Sequence, residues 1–182
     1  MLGSRGLMPR SVGGHSSMSG FVLDVGALPV GASRILVESR AEDLGLPAEQ
    51  WPAGVTGNLD VERSGDRISV RGKLEARARV ECARCLKEYD LPVQAPFEVF
   101  ADRTGAGARH EEEELERDDY MKFHDGRRLD LRDDAREVLL VEFPMTPHCR
   151  EDCLGLCPRC GEDLNLGPCS CSAGACPART DD

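Results

Sequence analysis

The sequence predicts an α+β fold, an antiparallel β-meander with one packed helix, followed by a Cys-rich C-terminal segment. Three observations predict it. Apolar and polar residues alternate strictly along residues 68–82, the period of a half-buried strand. Leu131, Ala135, Val138 and Leu139 form a stripe at helical spacing that ends at Pro144. Six of the nine cysteines fall within residues 149–171.

Residues 1–19 are rich in Gly and Ser without periodicity, so a disordered N-terminus is expected, with Met8 or Met18 as alternative starts. Residues 33–38 read as a short strand. Residues 41–52 read as a turn of helix and a loop carrying the lone Trp51, which is expected to plug the core or an edge. Val55, Leu59 and Val61 alternate with polar residues, and Ser64, Gly65 and Asp66 form a turn. Ile68, Val70, Gly72, Leu74, Ala76, Ala78, Val80 and Cys82 then share one side of a long strand, with a bend possible at Gly72. After a turn at Cys82-Ala-Arg-Cys85 the alternation resumes with Tyr89, Leu91, Val93, Ala95, Phe97 and Val99. This is a hairpin with a cysteine knuckle at its tip. Pro92 and Pro96 lack backbone donors, so the second strand is expected at an edge. Residues 102–119 form an acidic linker with seven carboxylates at positions 111–119. Residues 120–124 read as a short strand. The helix follows, with Asp130 as N-cap and Asp133 and Asp134 facing its positive end. The expected organisation is a disordered 1–19, an α+β domain over 20–148, a cysteine segment over 149–171 and a disordered tail over 172–182.

The chain has 182 residues, 40% of them apolar and only 4% aromatic. Such a core is modest and aliphatic, and stapling compensates for it. Nine cysteines also suit a secreted disulfide framework, but the first twenty residues contain no apolar run of signal-peptide length. The chain is therefore read as cytoplasmic with reduced thiols. No stretch reaches the ~18 apolar residues of a membrane span.

Cysteines two residues apart, backed by a second pair, make a tetrahedral soft-metal site, for which zinc is the default ion. Cys82, Cys85, Cys149, Cys153, Cys157, Cys160, Cys169 and Cys171 are the candidate ligands for one or two zinc ions, with Cys176 left over. One partition groups Cys157, Cys160, Cys169 and Cys171 locally and joins Cys149 and Cys153 to Cys82 and Cys85. The other pairs the two C-x-x-C knuckles as in a zinc ribbon. The first is preferred, because the loop at residues 161–168 is short enough to close on itself. His148 is an alternative ligand. Four-thiolate sites leave no position for water, so they read as structural and the protein as no enzyme. No H-E-x-x-H occurs, and only 22 residues follow Cys160, too few for the barrel a radical iron–sulfur motif needs.

Net charge is −10, which argues against general coating of nucleic acid but not against a local patch. Residues 61–90 hold eight Lys/Arg against six Asp/Glu, whereas residues 102–143 hold eight against fourteen. Arg63, Arg67, Arg71, Lys73, Arg77 and Arg79 are expected to project from the polar side of the meander, continued by Arg84 and Lys87. They are candidate contacts to RNA phosphates. An alternating solvent-exposed face explains the same pattern without a ligand. The scarcity of aromatics disfavours stacking on single-stranded bases and favours shape recognition of folded RNA.

Together, the V-E-C-A-R-C-L knuckle, the acidic gap, the D-L-x5-E-x-L-L helix ending at Pro, and C-x2-D-C-x-G-L-C-P-x-C-G-x-D-L-N resemble the YceD family of large ribosomal RNA subunit accumulation proteins. The likeness covers residues 20–171. It implies a non-catalytic factor in large-subunit assembly. It matches Cys82, Arg84 and Cys85 to the family's central motif, and the later cysteines to the tail of its cysteine-rich members. The implied partner is large-subunit ribosomal RNA or a ribosomal protein, with no membrane and no small-molecule substrate. Two other readings are a zinc-stapled protein–protein adaptor docking through the acidic segment, and a redox- or metal-responsive regulator.

Overall fold

The computed structural model describes residues 16–103 and 121–171. The seven carboxylates at positions 111–119, the linker at 104–108, Cys176, the tail at 172–182 and residues 1–15 lie outside the described residues. The elements are β1 (Ser16–Ser19), β2 (Val22–Asp24), β3 (Gly31–Ser39), a 3-10 turn (Glu42–Leu44), β4 (Val55–Ser64), β5 (Arg67–Glu81), β6 (Glu88–Arg103), β7 (Met121–His124), β8 (Arg128–Asp130) and α1 (Arg132–Val141).

Six strands form one sheet in the order β1-β3-β4-β5-β6-β7, and β2 pairs β8 apart from it. The central strands β3 to β6 are the antiparallel meander that the alternating sequence predicts. The inward residues of β5, from Ile68 to Val80, are buried apart from half-buried Gly72, and the outward ones are exposed or half-buried. Gly72 is required by the closeness of β4: a Cβ there would lie 2.0 Å from the Asn58 carbonyl oxygen. Pro92 and Pro96 sit opposite Arg77 and Lys73, and among the described residues the far side of β6 is paired only at residues 100–103. The prolines thus occupy open edge, where a missing donor costs least.

One face of the sheet carries the core. Phe21, Leu23, Leu129, Leu131, Ala135 and Leu139 form a second layer with Trp51. Phe21 meets Phe97 edge-on at 6.4 Å, and the Leu131 N–H donates to the Phe21 carbonyl at 2.7 Å. Trp51 is 1% exposed and packs on Phe143 at 5.8 Å, so it is a core plug. Burial of this apolar layer supplies most of the driving force for the domain. Among the described residues no helix is long and apolar enough to cross a membrane.

Two expectations change. Ser16–Ser19 lies within the stretch read as disordered, yet it pairs in parallel with residues 35–38 of β3. A ladder needs only backbone donors and acceptors, so a Ser-rich stretch can complete the open side of β3 with no apolar period to announce it. The helix N-cap is Leu131, with no side-chain cap, rather than Asp130. Leu131 is fully buried, which fixes the turn. The Asp130 carboxylate accepts from the Arg132 N–H at 3.1 Å and from its guanidinium at 2.9 Å.

Candidate metal centres

The hairpin tip is built by the backbone. The Cys82 N–H donates to the Lys87 carbonyl and the Leu86 N–H to the Cys82 carbonyl, both at 2.9 Å. Leu86 closes the turn with φ of 60°, a left-handed conformation that non-glycine residues rarely adopt. Past α1 the chain returns to this tip, where the Ala83 N–H donates to the Pro147 carbonyl at 2.8 Å. Two further contacts hold it there. The Leu156 N–H donates to the Arg84 carbonyl at 3.1 Å, and Arg84 Nη1 donates to the Cys153 carbonyl at 3.0 Å. Gly155 has φ of +75°, and a Cβ on it would lie 2.8 Å from the Arg84 oxygen, so only glycine lets the segment lie this close.

These contacts gather Cys82, Cys85, Cys149 and Cys153, whose sulfur atoms all lie within 4.8 Å of one another. Cys82 to Cys153 and Cys85 to Cys149 are each 3.8 Å. A tetrahedron of zinc–thiolate bonds has sulfur–sulfur edges of about 3.8 Å, whereas a disulfide bond is about 2.05 Å. The spacing fits four ligands around one ion. Cys82, Cys85 and Cys153 are buried and Cys149 is half-buried.

Cys157, Cys160, Cys169 and Cys171 form a second such group. Its knuckle closes through the Cys157 N–H to the Glu162 carbonyl at 2.8 Å and the Gly161 N–H to the Cys157 carbonyl at 2.9 Å. The Glu162 carboxylate then accepts the Ser170 N–H at 2.6 Å and its hydroxyl at 2.9 Å, which sets residues 169–171 opposite the knuckle. Cys171 lies 3.6 Å from both Cys157 and Cys169. Cys160 is exposed. The grouping is that of the local partition, and His148, exposed, belongs to neither group.

Both groups can hold a metal ion. Burial pushes Cys82 up, but backbone N–H groups of Cys149, Cys85 and Arg84 donate to its sulfur and hold it down at about 6. Cys149 is pushed up to about 12, by burial and by the sulfurs of Cys153, Cys85 and Cys82. Cys171 is raised by the sulfurs of Cys160, Cys169 and Cys157 and then by burial. One thiolate forms readily and its neighbours then resist ionising; a divalent cation removes that resistance. Four protein ligands leave no open coordination position, so the chemistry available is cross-linking rather than activation of water.

The basic residues fall into three sets. Arg63 departs from the expectation that it lies on the polar side. It shares the inward parity of Leu59 and Val61, and its Nη1 donates to the carbonyls of Val25 at 2.7 Å and Leu28 at 2.9 Å. Arg84 is likewise engaged, with Cys153. Arg67, Arg71 and Arg79 point outward but pair with β6 carboxylates: Asp102 at 3.3 Å, Glu98 at 2.7 Å and Asp90 at 3.5 Å. Arg71 also lies 5.3 Å from the Phe100 ring centre. Lys73, Arg77 and Lys87 are exposed and have no ion pair among the described residues. Lys73 and Arg77 stand opposite the two prolines of β6 rather than opposite carboxylates.

Asn165 was given no role by the sequence reading. Its Oδ1 accepts from the Leu154 N–H at 2.9 Å and from Arg150 Nη2 at 2.6 Å, and its Nδ2 donates to Cys153 Sγ at 3.6 Å. The one signal for it was the D-L-N triplet that follows the second knuckle.

The family described as "Large ribosomal RNA subunit accumulation protein YceD" matches residues 70–179. Uncharacterized proteins of Mycobacterium bovis and Mycobacterium tuberculosis are each 35% identical over 112 residues, 61% of this chain and 52% of theirs. One of Mycobacterium leprae is 32% identical over 126 residues, 69% of this chain and 56% of its own. The chain spans about half the length of the curated relatives it matches. No solved structure matches it.

Proposed function

The chain belongs to the YceD family, and from that membership we propose that it is a non-catalytic, cytoplasmic factor supporting accumulation of large-subunit ribosomal RNA and assembly of that subunit. The observation that carries the reading is the span of the match. Residues 70–179 take in most of β5, the knuckle, β6, α1 and both cysteine groups. Zinc is the proposed ion in each group, because four thiolates suit it and it has no redox chemistry of its own. With zinc bound, Cys82, Cys85, Cys149 and Cys153 clip the C-terminal segment onto the hairpin tip. Cys157, Cys160, Cys169 and Cys171 keep that segment in one shape.

The clip fixes the end of a long, stiff hairpin, and the unpaired cations Lys73, Arg77 and Lys87 run along it toward the tip. Their proposed role is contact with ribosomal RNA phosphates. The test is association of the reduced protein with large-subunit ribosomal RNA across a salt series. Lys73→Glu with Arg77→Glu is expected to weaken association and flatten its salt dependence by about two phosphate contacts. Unchanged affinity and slope would contradict the RNA reading.

A second reading, an adaptor for a basic ribosomal protein, is favoured by the acidic rows flanking β5. β4 presents Asp60 and Glu62, and β6 presents Glu88, Asp90, Glu98 and Asp102; Asp60, Asp90, Glu98 and Asp102 already pair with Arg34, Arg79, Arg71 and Arg67, which a basic partner would have to displace. Under this reading Asp90→Lys with Glu88→Lys loses the partner while the lysine and arginine variants keep it.

A further inference from the structure

We infer that Asn165 couples the two cysteine groups, so that the first group holds its ion tightly only while the second is filled. The inference rests on reading both groups as metal centres, and goes beyond it by coupling their affinities. Asn165 belongs to the loop at residues 161–168, whose two ends carry Cys160 and Cys169, ligands of the second group. Its carboxamide reaches into the first group instead.

Every polar valence of that carboxamide is used. Oδ1 takes two donors, the Leu154 N–H and Arg150 Nη2. Nδ2 gives two hydrogen bonds, to Cys153 Sγ at 3.6 Å and to Asp163 Oδ1 at 2.5 Å. Only one orientation of the amide fits, because the groups facing the oxygen are donors and those facing the nitrogen are acceptors. The loop backbone is laid against the same stretch: the Leu164 N–H donates to the Gly155 carbonyl at 2.9 Å, and Leu156 bridges Asp163.

Cys153 is 2% exposed, so its thiolate has little water to stabilise it. An N–H donor to such a sulfur offsets its charge and holds it in place, as the outer partners of metal ligands do. Asn165 supplies that donor only while the loop is held closed at Cys160 and Cys169. Opening the second group releases the loop ends and withdraws the donor from Cys153. By linkage the dependence is reciprocal: filling the first group favours filling of the second by the same factor, although emptying the first leaves all four ligands of the second in place. Asn165 is therefore a positioning residue for the first centre.

The test is cadmium NMR of the full-length reduced chain loaded with cadmium, followed by challenge with EDTA. The first-group resonance is the one missing from Cys82→Ser with Cys85→Ser. Asn165→Ala keeps all eight candidate ligands. It is expected to shift the first-group resonance and speed loss of that ion about tenfold, the low end of what such outer partners contribute. The second-group resonance stays unchanged and reports that the segment still folds. Cys160→Ser with Cys171→Ser speeds loss from the first group by a similar factor, and adding Asn165→Ala to it changes nothing further. A first-group resonance that neither shifts nor leaves faster in Asn165→Ala overturns the coupling, as do two effects that multiply. A wild-type chain that takes up no cadmium overturns the metal reading itself, and the coupling with it.

Discussion

The sulfurs of Cys82 and Cys153 lie 3.8 Å apart although 71 residues separate them in the chain. Between them run all of β6 and α1, so this one approach joins the hairpin tip to the segment that follows the helix. The expected consequence is local. Cys153→Ser, or removal of metal by a chelator, frees residues 142–171 to proteases while the sheet keeps its far-UV circular dichroism. Cys160→Ser leaves the junction at Arg84 and Leu156 more resistant than Cys153→Ser does. Equal cleavage of both variants and of the wild type would count against the clip.

Arg63 and Arg71 look alike in sequence and should behave differently. Arg63 serves three backbone carbonyls, those of Val25, Leu28 and Gly65, and hydrogen bonds from a charged group are each worth roughly 1.5–3 kcal/mol. Arg63→Ala is expected to destabilise by about 2–3 kcal/mol in urea and to leave RNA association alone. Arg71 pairs with Glu98 at a solvent-facing site, 62% and 53% exposed, where such pairs contribute about 0–1 kcal/mol. Arg71→Ala should therefore stay within about 1 kcal/mol of wild type. The reverse ranking would mean that β4 faces the other way.

Acid should act on the turn into α1. Asp130 is held below the ordinary carboxylate range, first by the Arg132 guanidinium, and Asp125 by the backbone N–H groups of Arg128 and Arg127. Both folded values lie below the unfolded ones. Their stabilisation is present above the ordinary value of about 3.9 and is lost as pH falls through the depressed values. NMR titration of the two carboxyl carbons should give midpoints below that value, and Asp130→Asn should remove one of them and flatten the acid limb of the stability profile. Midpoints at the ordinary value would contradict the hydrogen bonding described.

The long strands were legible because β5 faces core on one side and solvent on the other for fifteen residues, which writes a period of two into the sequence. The helix stripe from Leu131 to Leu139 was legible for the same reason. The short ladders were not. β2 and β8 have three residues each, too few for any period, and β1 and β7 have four each. The candidate basic face was half legible. Parity already placed Arg63 with Leu59 and Val61, against the reading that set it on the polar side. The carboxylates that answer Arg67, Arg71 and Arg79 come from β6, and only the register Arg71 to Glu98 and Arg79 to Asp90 brings them together. The cysteine spacing suggested the local grouping because residues 161–168 are a short loop. Asn165 stayed hidden, since a hydrogen bond to a sulfur twelve residues away leaves no mark on spacing.

The central claim is that eight cysteines form two closed metal centres, one of which clips the tail to the hairpin. Metal content of the native, reduced protein by mass spectrometry tests it most directly. The account predicts two zinc ions per chain, and one in Cys82→Ser with Cys85→Ser. A chain that carries no metal, or that holds these cysteines as disulfides, would contradict it.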